Sequence, residues 1–460
     1  MLKKNLLLVV ALCFTQGVFG QIVGRWKGDL DIQGTKLPLV FEIKATENGY
    51  NTTAYSPKQT TMSIPTSKTV FENNALTVEI SALQASFKGV LKDGKITGTF
   101  TQGKEFPLVL EKTNEEIKAV ERPVIADLGN RTINTQKLSA YLDYLVEKQK
   151  IAGSISIFRK GKEVYKKHFG QELLPTKNYN EKTAYQVGSI TKLFMATMLM
   201  QEVEKGTLKL DDKLAKFFPK MPNAQNITLQ QMLNHTSGLG DYVALLREEL
   251  MKEPLAPQVI YDTIVKQGVD FQPGEKQKYS NSAYYLLCKI LEQTTQKPFN
   301  VLLRERIAKP LNLDNTFSTL DRPTNIFASY NLHQTQLQEV KDFNFINALG
   351  AGDITATTTD LNRFVEALFK GKLLKKETLQ QMLPEEKIWG LCVMRVPFYN
   401  KTSYGHGGTT LGTDALMTYN PEDDLSISLC VNARGLFSNN KITIGILKIL
   451  YELPFDFEKE

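Results

Sequence analysis

The sequence is poor in the patterns that mark metal-binding, redox and nucleic-acid-binding proteins. It holds four cysteines and four histidines in 460 residues, and no C-x-x-C, H-E-x-x-H or H-x-H spacing occurs. A metal site and a redox motif are therefore not expected, and no cofactor is predicted. The net charge of +7 comes from 56 basic residues scattered among 49 acidic ones. Because no dense Lys/Arg block is present, a nucleic-acid partner is not expected either.

The first twenty residues have the organisation of a secretory signal peptide. A lysine pair is followed by an apolar run through Phe14 and then by small residues up to residue 20. This run is shorter than the ~20 residues that a bilayer span needs. We expect residues 1–20 to be removed, the mature chain to begin near Gln21 without a membrane span, and the protein to be periplasmic or secreted. A retained anchor is the alternative, and bulky Leu12 before Cys13 disfavours a lipoprotein.

Three cysteines lie beyond the leader, far apart from one another. Cys288, Cys392 and Cys430 each sit within an apolar run, so we predict buried small hydrophobic residues. An exported compartment permits a disulfide, and the sequence does not pair the three.

Residues 21–112 carry strand periodicity. Leu76, Val78 and Ile80 alternate with polar residues, and similar alternation recurs along the segment. Hairpin turns are predicted at Asn48-Gly49 and Asp93-Gly94. We predict a small antiparallel all-β domain, with Trp26 in its core. The alternative is that this domain is itself a ligand or partner module.

Residues 113–134 are polar and charged and are predicted to be a linker. Residues 135–460 mix helix and strand patterns and form the predicted second domain. A helix is predicted near 136–149, and strands are predicted at 153–159, 163–168, 414–419 and 425–431. The run 190–205 is nearly all apolar through Met200, which predicts a buried helix.

The first chemical motif is S-x-x-K, at Ser189 and Lys192. Residues three apart lie on one face of a helix, and a serine needs an adjacent base before it can attack a carbonyl. A lysine is such a base only when it is neutral, which burial favours. The alternative is a capping serine beside a surface lysine. Since the surrounding sequence is not G-x-S-x-G, an α/β-hydrolase is disfavoured.

Two further motifs follow in the chain. Tyr279 and Asn281 form a Y-x-N between the Pro273-Gly274 turn and an apolar helical run. Its alternative interpretation is a helix-capping asparagine beside a packed tyrosine. His406 lies among glycines in the segment 404–409, where a substrate could approach the backbone closely. Its alternative is a glycine-rich hairpin with a structural histidine.

Taken in order, these motifs resemble those of the serine β-lactamase and penicillin-binding-protein family, especially its class C-like branch. That branch carries S-x-x-K, then Y-x-N, then K-T-G or H-x-G. Further segments similar to the same branch lie at 233–239, 273–287, 310–316 and 350–361. The resemblance covers about residues 135–455. It implies an α/β (α+β) β-lactamase-like catalytic domain with a helical subdomain and the site in the cleft between them.

The resemblance also implies roles for individual residues. Ser189 would form an acyl-enzyme, while Lys192 and Tyr279 would move the protons. The backbone N–H groups of Ser189 and Thr409 would form the oxyanion hole. The residues implied to bind substrate are Asn281, His406, Gly407 and Gly408.

His406 departs from the commonest pattern, because β-lactamases and carboxypeptidases of the family usually have lysine there. A histidine is not a permanent cation at neutral pH. This favours an ester, an amide or a D-amino-acid peptide over a β-lactam as the substrate. We therefore predict a serine hydrolase acting on a small-molecule or peptide substrate. The alternative is a catalytically silent penicillin-binding-like protein that binds cell-wall peptides.

Overall fold

The computed structural model describes residues 21–460 apart from 33–34, 48, 59–62, 81–82, 84, 117–123, 176–178, 386, 436–437 and 460. The predicted signal peptide and Asn48 of one predicted turn lie outside these residues. The described chain divides into two units, with the boundary between residues 123 and 124. Among the helices described, none is long and apolar enough to cross a bilayer.

The first unit is a curled antiparallel sheet. Its described strands are β1 (Gly24–Ile32), β2 (Thr35–Thr46), β3 (Gly49–Tyr55), β4 (Ile64–Pro65), β5 (Lys68–Glu72), β6 (Ala75–Ile80), β7 (Ala85–Lys92), β8 (Lys95–Gln102) and β9 (Lys104–Thr113). Their order in the sheet is β4-β3-β2-β1-β9-β8-β7-β6-β5. The Thr69 hydroxyl of β5 donates to the Thr52 hydroxyl of β3 at 2.9 Å, so the two ends of the sheet approach each other.

The interior of this sheet is packed with aromatic and aliphatic side chains. Trp26, Phe41 and Phe87 are buried, and the rings of Phe41 and Phe87 lie 5.7 Å apart. The Trp26 indole nitrogen donates to the Ile22 carbonyl at 2.7 Å, which satisfies its one polar group. Trp26 is therefore a core residue, as the sequence predicts. At the predicted turn, Asp93 has a φ of 51°.

The second unit contains two sheets among its described residues, one of eight strands and one of three. Its described strands are β10 (Ala152–Arg159), β11 (Lys162–Phe169), β12 (Tyr185–Gln186), β13 (Phe317–Ser318), β14 (Tyr330–His333), β15 (Gln336–Glu339), β16 (Ile354–Ala356), β17 (Met394–Phe398), β18 (Lys401–Thr409), β19 (Asp414–Asn420) and β20 (Leu425–Arg434). The main sheet has the order β11-β10-β20-β19-β18-β17, with β14 beside β20 and β15 beside β14. Strands β12, β16 and β13 form a small separate sheet.

Helices surround these strands. The described helices are α1 (Thr135–Gln149), α2 (Thr191–Glu204), α3 (Leu229–Leu233), α4 (Tyr242–Leu245), α5 (Pro257–Gln267), α6 (Asn281–Thr295), α7 (Phe299–Leu303), α8 (Lys309–Leu311), α9 (Thr358–Phe369), α10 (Lys376–Met382) and α11 (Asn439–Leu450). A single 3₁₀ turn, Gly188–Ile190, leads into α2. The predicted buried helix is α2, whose residues are buried almost throughout.

The two faces of the main sheet are covered by different helices. On one face α1 and α11 pack against it, with Tyr141 and Ile446 in the same apolar cluster as Ile155 of β10. On the other face α9 lies along the sheet, and its Phe364 stacks on Phe194 of α2 with the ring centroids 3.7 Å apart. Because both faces are covered, β10 and β20 are buried along nearly their whole length.

These observations confirm the predicted fold class, an antiparallel β domain followed by an α/β domain. Residues from 124 onward belong to the second unit, where Ile125, Leu128 and Ile133 are buried in its core. The three cysteines are buried, as predicted, and the structure shows each of them free.

Candidate active site

Ser189 lies in the 3₁₀ turn that joins β12 to α2. Gly188 has a φ of 52°, a conformation that glycine adopts without steric cost. Strand β18 approaches this turn closely, since a Cβ added to Gly408 would lie 1.9 Å from the Val187 carbonyl oxygen and 3.0 Å from the Ser189 nitrogen. A Cβ on Gly188 would lie 3.0 Å from the Thr409 nitrogen. The two glycines therefore allow the backbone at Thr409 to pack against the serine.

Lys192 is buried directly beneath Ser189, in the first turn of α2. Its Nζ donates to Ser189 Oγ at 3.0 Å, to Asn281 Oδ1 at 2.7 Å and to the Ala351 carbonyl at 2.6 Å. The side chain has no exposed surface. The alternative interpretation, a capping serine beside a surface lysine, is therefore wrong.

Burial changes the acidity of Lys192. Loss of hydration lowers its pKa from the ordinary 10.5 to about 7, and the charge of Asp241 opposes this change. A large fraction of the side chain is therefore neutral at physiological pH and can accept a proton. This protonation state is the one that a base next to a serine requires.

Tyr279 approaches the same atoms from the loop before α6. Lys192 Nζ lies 4.8 Å from the centroid of its ring. Burial raises the pKa of the Tyr279 phenol, and a hydrogen bond with the Ser189 side chain partly opposes that rise. The phenol is therefore protonated at neutral pH and can act as a proton donor.

Asn281 is the first residue of α6, but it does not cap the helix. Ser280 does so, with its Oγ accepting from the Ala283 nitrogen at 3.2 Å. The interpretation of Asn281 as a capping residue is therefore wrong. Its Oδ1 accepts from Lys192, and its Nδ2 donates to Asp241 Oδ2 at 2.8 Å.

His406 lies within strand β18 rather than in a hairpin turn. Its Nδ1 contacts the Gly407 carbonyl, and its buried Nε2 has no partner among the described residues. Burial and then the charge of Lys192 lower the His406 pKa from 6.5 to about 3. The imidazole is therefore neutral at pH 7.

A match to known proteins identifies the family. The Beta-lactamase family model matches residues 138–450, which contain every predicted site residue. The chain belongs to the serine β-lactamase and penicillin-binding-protein family. The family is one of serine hydrolases, and the N-terminal sheet lies outside the matched region.

Individual relatives are distant. A Bacillus subtilis chain named as a penicillin-binding protein, PbpX, is 27% identical over 351 residues, covering 74% of this chain and 81% of its own. A Staphylococcus aureus teichoic acid D-alanine hydrolase is 23% identical and covers 66% of this chain and 75% of its own. Among solved structures, a D-stereospecific amidohydrolase from Streptomyces sp. is 25% identical with a TM-score of 0.59, covering 67% of this chain and 97% of its own.

The structure adds Trp389 to the site of this family member. Its ring lies 5.2 Å from that of His406, 5.6 Å from that of His235 and 6.1 Å from that of Tyr279. The indole thus covers the buried imidazole of His406. Trp389 is one of two tryptophans in the chain, and that rarity is the signal in the sequence that could have drawn attention to it.

His235 lies beside Tyr279 and has a structural role. Its Nδ1 accepts from the Ser280 nitrogen at 3.3 Å, and its ring stacks on Tyr279 with the centroids 4.4 Å apart. The S-x-x-K pattern occurs again at Ser438 and Lys441. Ser438 is a helix cap, because its Oγ accepts from the Lys441 nitrogen at 3.4 Å. No cluster of three metal-ligating side chains occurs in the described part of the chain.

Proposed function

We propose that the protein is a serine acyl hydrolase, in which Ser189 forms an acyl-enzyme with a D-amino-acyl ester, amide or peptide. The observation that carries the proposal is the 3.0 Å contact between Ser189 Oγ and a fully buried Lys192 Nζ. A buried amine with a pKa of about 7 and a hydroxyl within hydrogen-bond reach form a nucleophile–base pair.

Acylation begins with neutral Lys192. Its amine takes the hydroxyl proton while Ser189 Oγ bonds to the substrate carbonyl carbon, and the π electrons of the carbonyl move to its oxygen. The backbone N–H groups of Ser189 and Thr409 are proposed to stabilise this oxyanion. Each such donor is typically worth ~10²–10³ in rate. The close approach at Gly188 and Gly408 supports this assignment, because it brings both nitrogens to one place.

Collapse of the tetrahedral intermediate requires a proton on the leaving group. Tyr279 is the proposed donor, since its phenol is protonated at neutral pH and hydrogen-bonded to Ser189. The Lys192 ammonium then returns its proton to the tyrosine. In deacylation a water replaces the leaving group, Lys192 takes its proton, and Ser189 Oγ recovers that proton when the acid is released. General acid–base assistance of this kind is typically worth ~10²–10⁴-fold.

Neutral His406 argues for the class of substrate. A lysine at this position would supply a cation for a substrate carboxylate, whereas His406 with a pKa of about 3 supplies none. A relative named for D-alanine hydrolysis and another named for D-stereospecific amide hydrolysis support a D-amino-acyl group. Asn281 is proposed to contact the substrate through its second amide hydrogen, with Gly407 and Gly408 leaving room along β18.

The test compares the mature chain with Ser189→Ala and, as a matched control, Ser438→Ala, which alters the S-x-x-K assigned to a helix cap. Turnover of a short-chain p-nitrophenyl ester and of D- and L-alanine p-nitroanilide would be measured beside fluorophosphonate labelling. We expect Ser189→Ala to lose on the order of 10³-fold or more in kcat and all labelling, while Ser438→Ala keeps both. An unlabelled wild-type protein that turns over none of these substrates would support the binding-protein alternative.

A further inference from the structure

Asp241 contacts the site through one hydrogen bond that the motifs do not reveal. Its Oδ2 accepts from Asn281 Nδ2 at 2.8 Å, and Asn281 Oδ1 accepts from Lys192 Nζ at 2.7 Å. The other carboxylate oxygen accepts from the Val243 nitrogen at 3.0 Å and so caps helix α4. Both oxygens are engaged, and the carboxylate is fixed in position by the helix.

This arrangement determines which way the Asn281 amide points. A carboxylate only accepts hydrogen bonds, so it holds the Nδ2 end of the amide. The Oδ1 end must then face Lys192, where an acceptor is needed. In a reversed amide, the Asn281 Nδ2 donor would face the Lys192 amine, which is also a donor. The Asn281 Oδ1 acceptor would face the Asp241 carboxylate, which is also an acceptor, so both contacts would be unfavourable.

Asp241 is also the carboxylate whose charge acts most strongly on the lysine. The other groups around the amine are oxygen acceptors, aromatic rings, a thiol and two imidazoles. They are Ser189, Asn281, the Ala351 carbonyl, Tyr279, Tyr284, Cys392, His235 and His406. Because both imidazoles have lowered pKa values, they add no positive charge at neutral pH.

We propose that Asp241 is a positioning residue that fixes the Asn281 amide with its oxygen toward Lys192 and, through this bridge, keeps the lysine partly protonated in the free enzyme. The kinetic consequence rests on the proposed acyl hydrolase function, whereas the coupling between Asp241 and Lys192 does not. Without the carboxylate the amine would be neutral to lower pH, and Asn281 would lose its orientation.

Asp241→Asn is the informative change, because asparagine is an equally good helix cap. Its single oxygen cannot both cap Val243 and accept from Asn281. Asp241→Ser is the second variant, since serine also caps without a charge. Asp321→Asn is the matched control: Asp321 accepts from Asn300 Nδ2 at 2.7 Å, the same type of contact elsewhere in the unit.

The coupling is measured without substrate, by NMR titration of the mature chain labelled with ¹³Cε-lysine. Lys192→Arg identifies the Lys192 signal. We expect the Lys192 midpoint near pH 7 in wild type and in Asp321→Asn, and lower by roughly 0.5–1 pH unit in both Asp241 variants. Equal midpoints in wild type and the Asp241 variants would overturn the proposal.

The kinetic consequence is read from the pH profile of kcat/KM for the p-nitrophenyl ester. In the Asp241 variants we expect the acidic limb to move to lower pH by the same amount and the plateau to fall about tenfold or more. If the kcat/KM plateau falls while the acidic limb stays at the same pH, Asp241 has only a structural role. That result would refute its proposed effect on the protonation of Lys192. If wild type has no Ser189-dependent turnover, the proposed function fails, and the NMR titration still decides the coupling.

Discussion

Lys192→Met should show how burial of the Lys192 amine affects the free energy of unfolding, independently of its proposed role as the base. Lowering of the lysine pKa from 10.5 to about 7 corresponds to about 5 kcal/mol of unfavourable free energy for the charged form. Methionine has a similar length and no charge. It also leaves the Ala351 carbonyl and Asn281 Oδ1 without their donor, which costs roughly 1–3 kcal/mol for each buried group. The informative quantity is therefore the pH dependence of the difference in free energy of unfolding between wild type and Lys192→Met.

The sign of that change follows from the two pKa values. Between about pH 7 and 10.5 the unfolded chain keeps the Lys192 proton, whereas the folded chain has lost it. Unfolding then takes up a proton, so wild-type stability gains with rising pH. This gain in the free energy of unfolding is fully present above pH 10.5 and is lost as the pH falls through about 7. The methionine variant has no such contribution.

Between pH 7 and 9.5, wild type should therefore gain about 3 kcal/mol relative to Lys192→Met. Urea unfolding of residues 21–460 of both proteins at both pH values, monitored by tryptophan fluorescence and by circular dichroism, measures this gain. All other titrations are shared by the two chains and cancel. An unchanged stability difference between the two pH values would refute the assignment of a lowered lysine pKa, and with it the reason for regarding Lys192 as the base.

Two further substitutions test the geometry around Ser189. Gly408→Ala should reduce kcat by on the order of 10²-fold, the value of one oxyanion donor, because its Cβ would lie 1.9 Å from the Val187 carbonyl. The control Gly352→Ala should keep its activity, because its Cβ would contact nothing closer than 3.8 Å. Equal kcat values in the two variants would contradict the proposed contact. Tyr279→Phe should lower kcat for D-alanine p-nitroanilide by ~10²–10⁴-fold with little change in KM, because the nitrogen of this amide must be protonated before it leaves. An unaltered kcat on this amide would exclude the phenol as the proton donor.

Much of the fold could be predicted from local patterns. Strand alternation and Asp-Gly turn chemistry report on neighbouring residues, so the antiparallel unit and the helices α1 and α2 could be predicted within a residue or two. The apolar run around Lys192 also predicts its burial, because a helix without a polar face has no surface to present to solvent. Burial then explains the lowered lysine pKa, which links the pattern to the chemistry.

The rest of the site depends on contacts between distant segments. Asp241 reaches Asn281 across 40 residues, and the Ala351 carbonyl reaches Lys192 across 159. A backbone carbonyl leaves no mark on the sequence, and an aspartate before a short helix is typical of an ordinary cap. Trp389 likewise joins the site only through contacts of its ring with His406, His235 and Tyr279. Neither local periodicity nor spacing carries such information.

Burial also favours the uncharged forms of the titratable side chains in the candidate site. It drives Lys192, Tyr279 and His406 toward their neutral forms. An oxyanion formed beside Ser189 would then depend on backbone N–H groups rather than on a fixed cation, and such donors act most strongly where water is excluded. A substrate carboxylate beside His406 would find no permanent counter-charge on the imidazole. If Ser189 reacts as proposed, its acyl donors should be uncharged at the scissile end, which is a property of esters and amides.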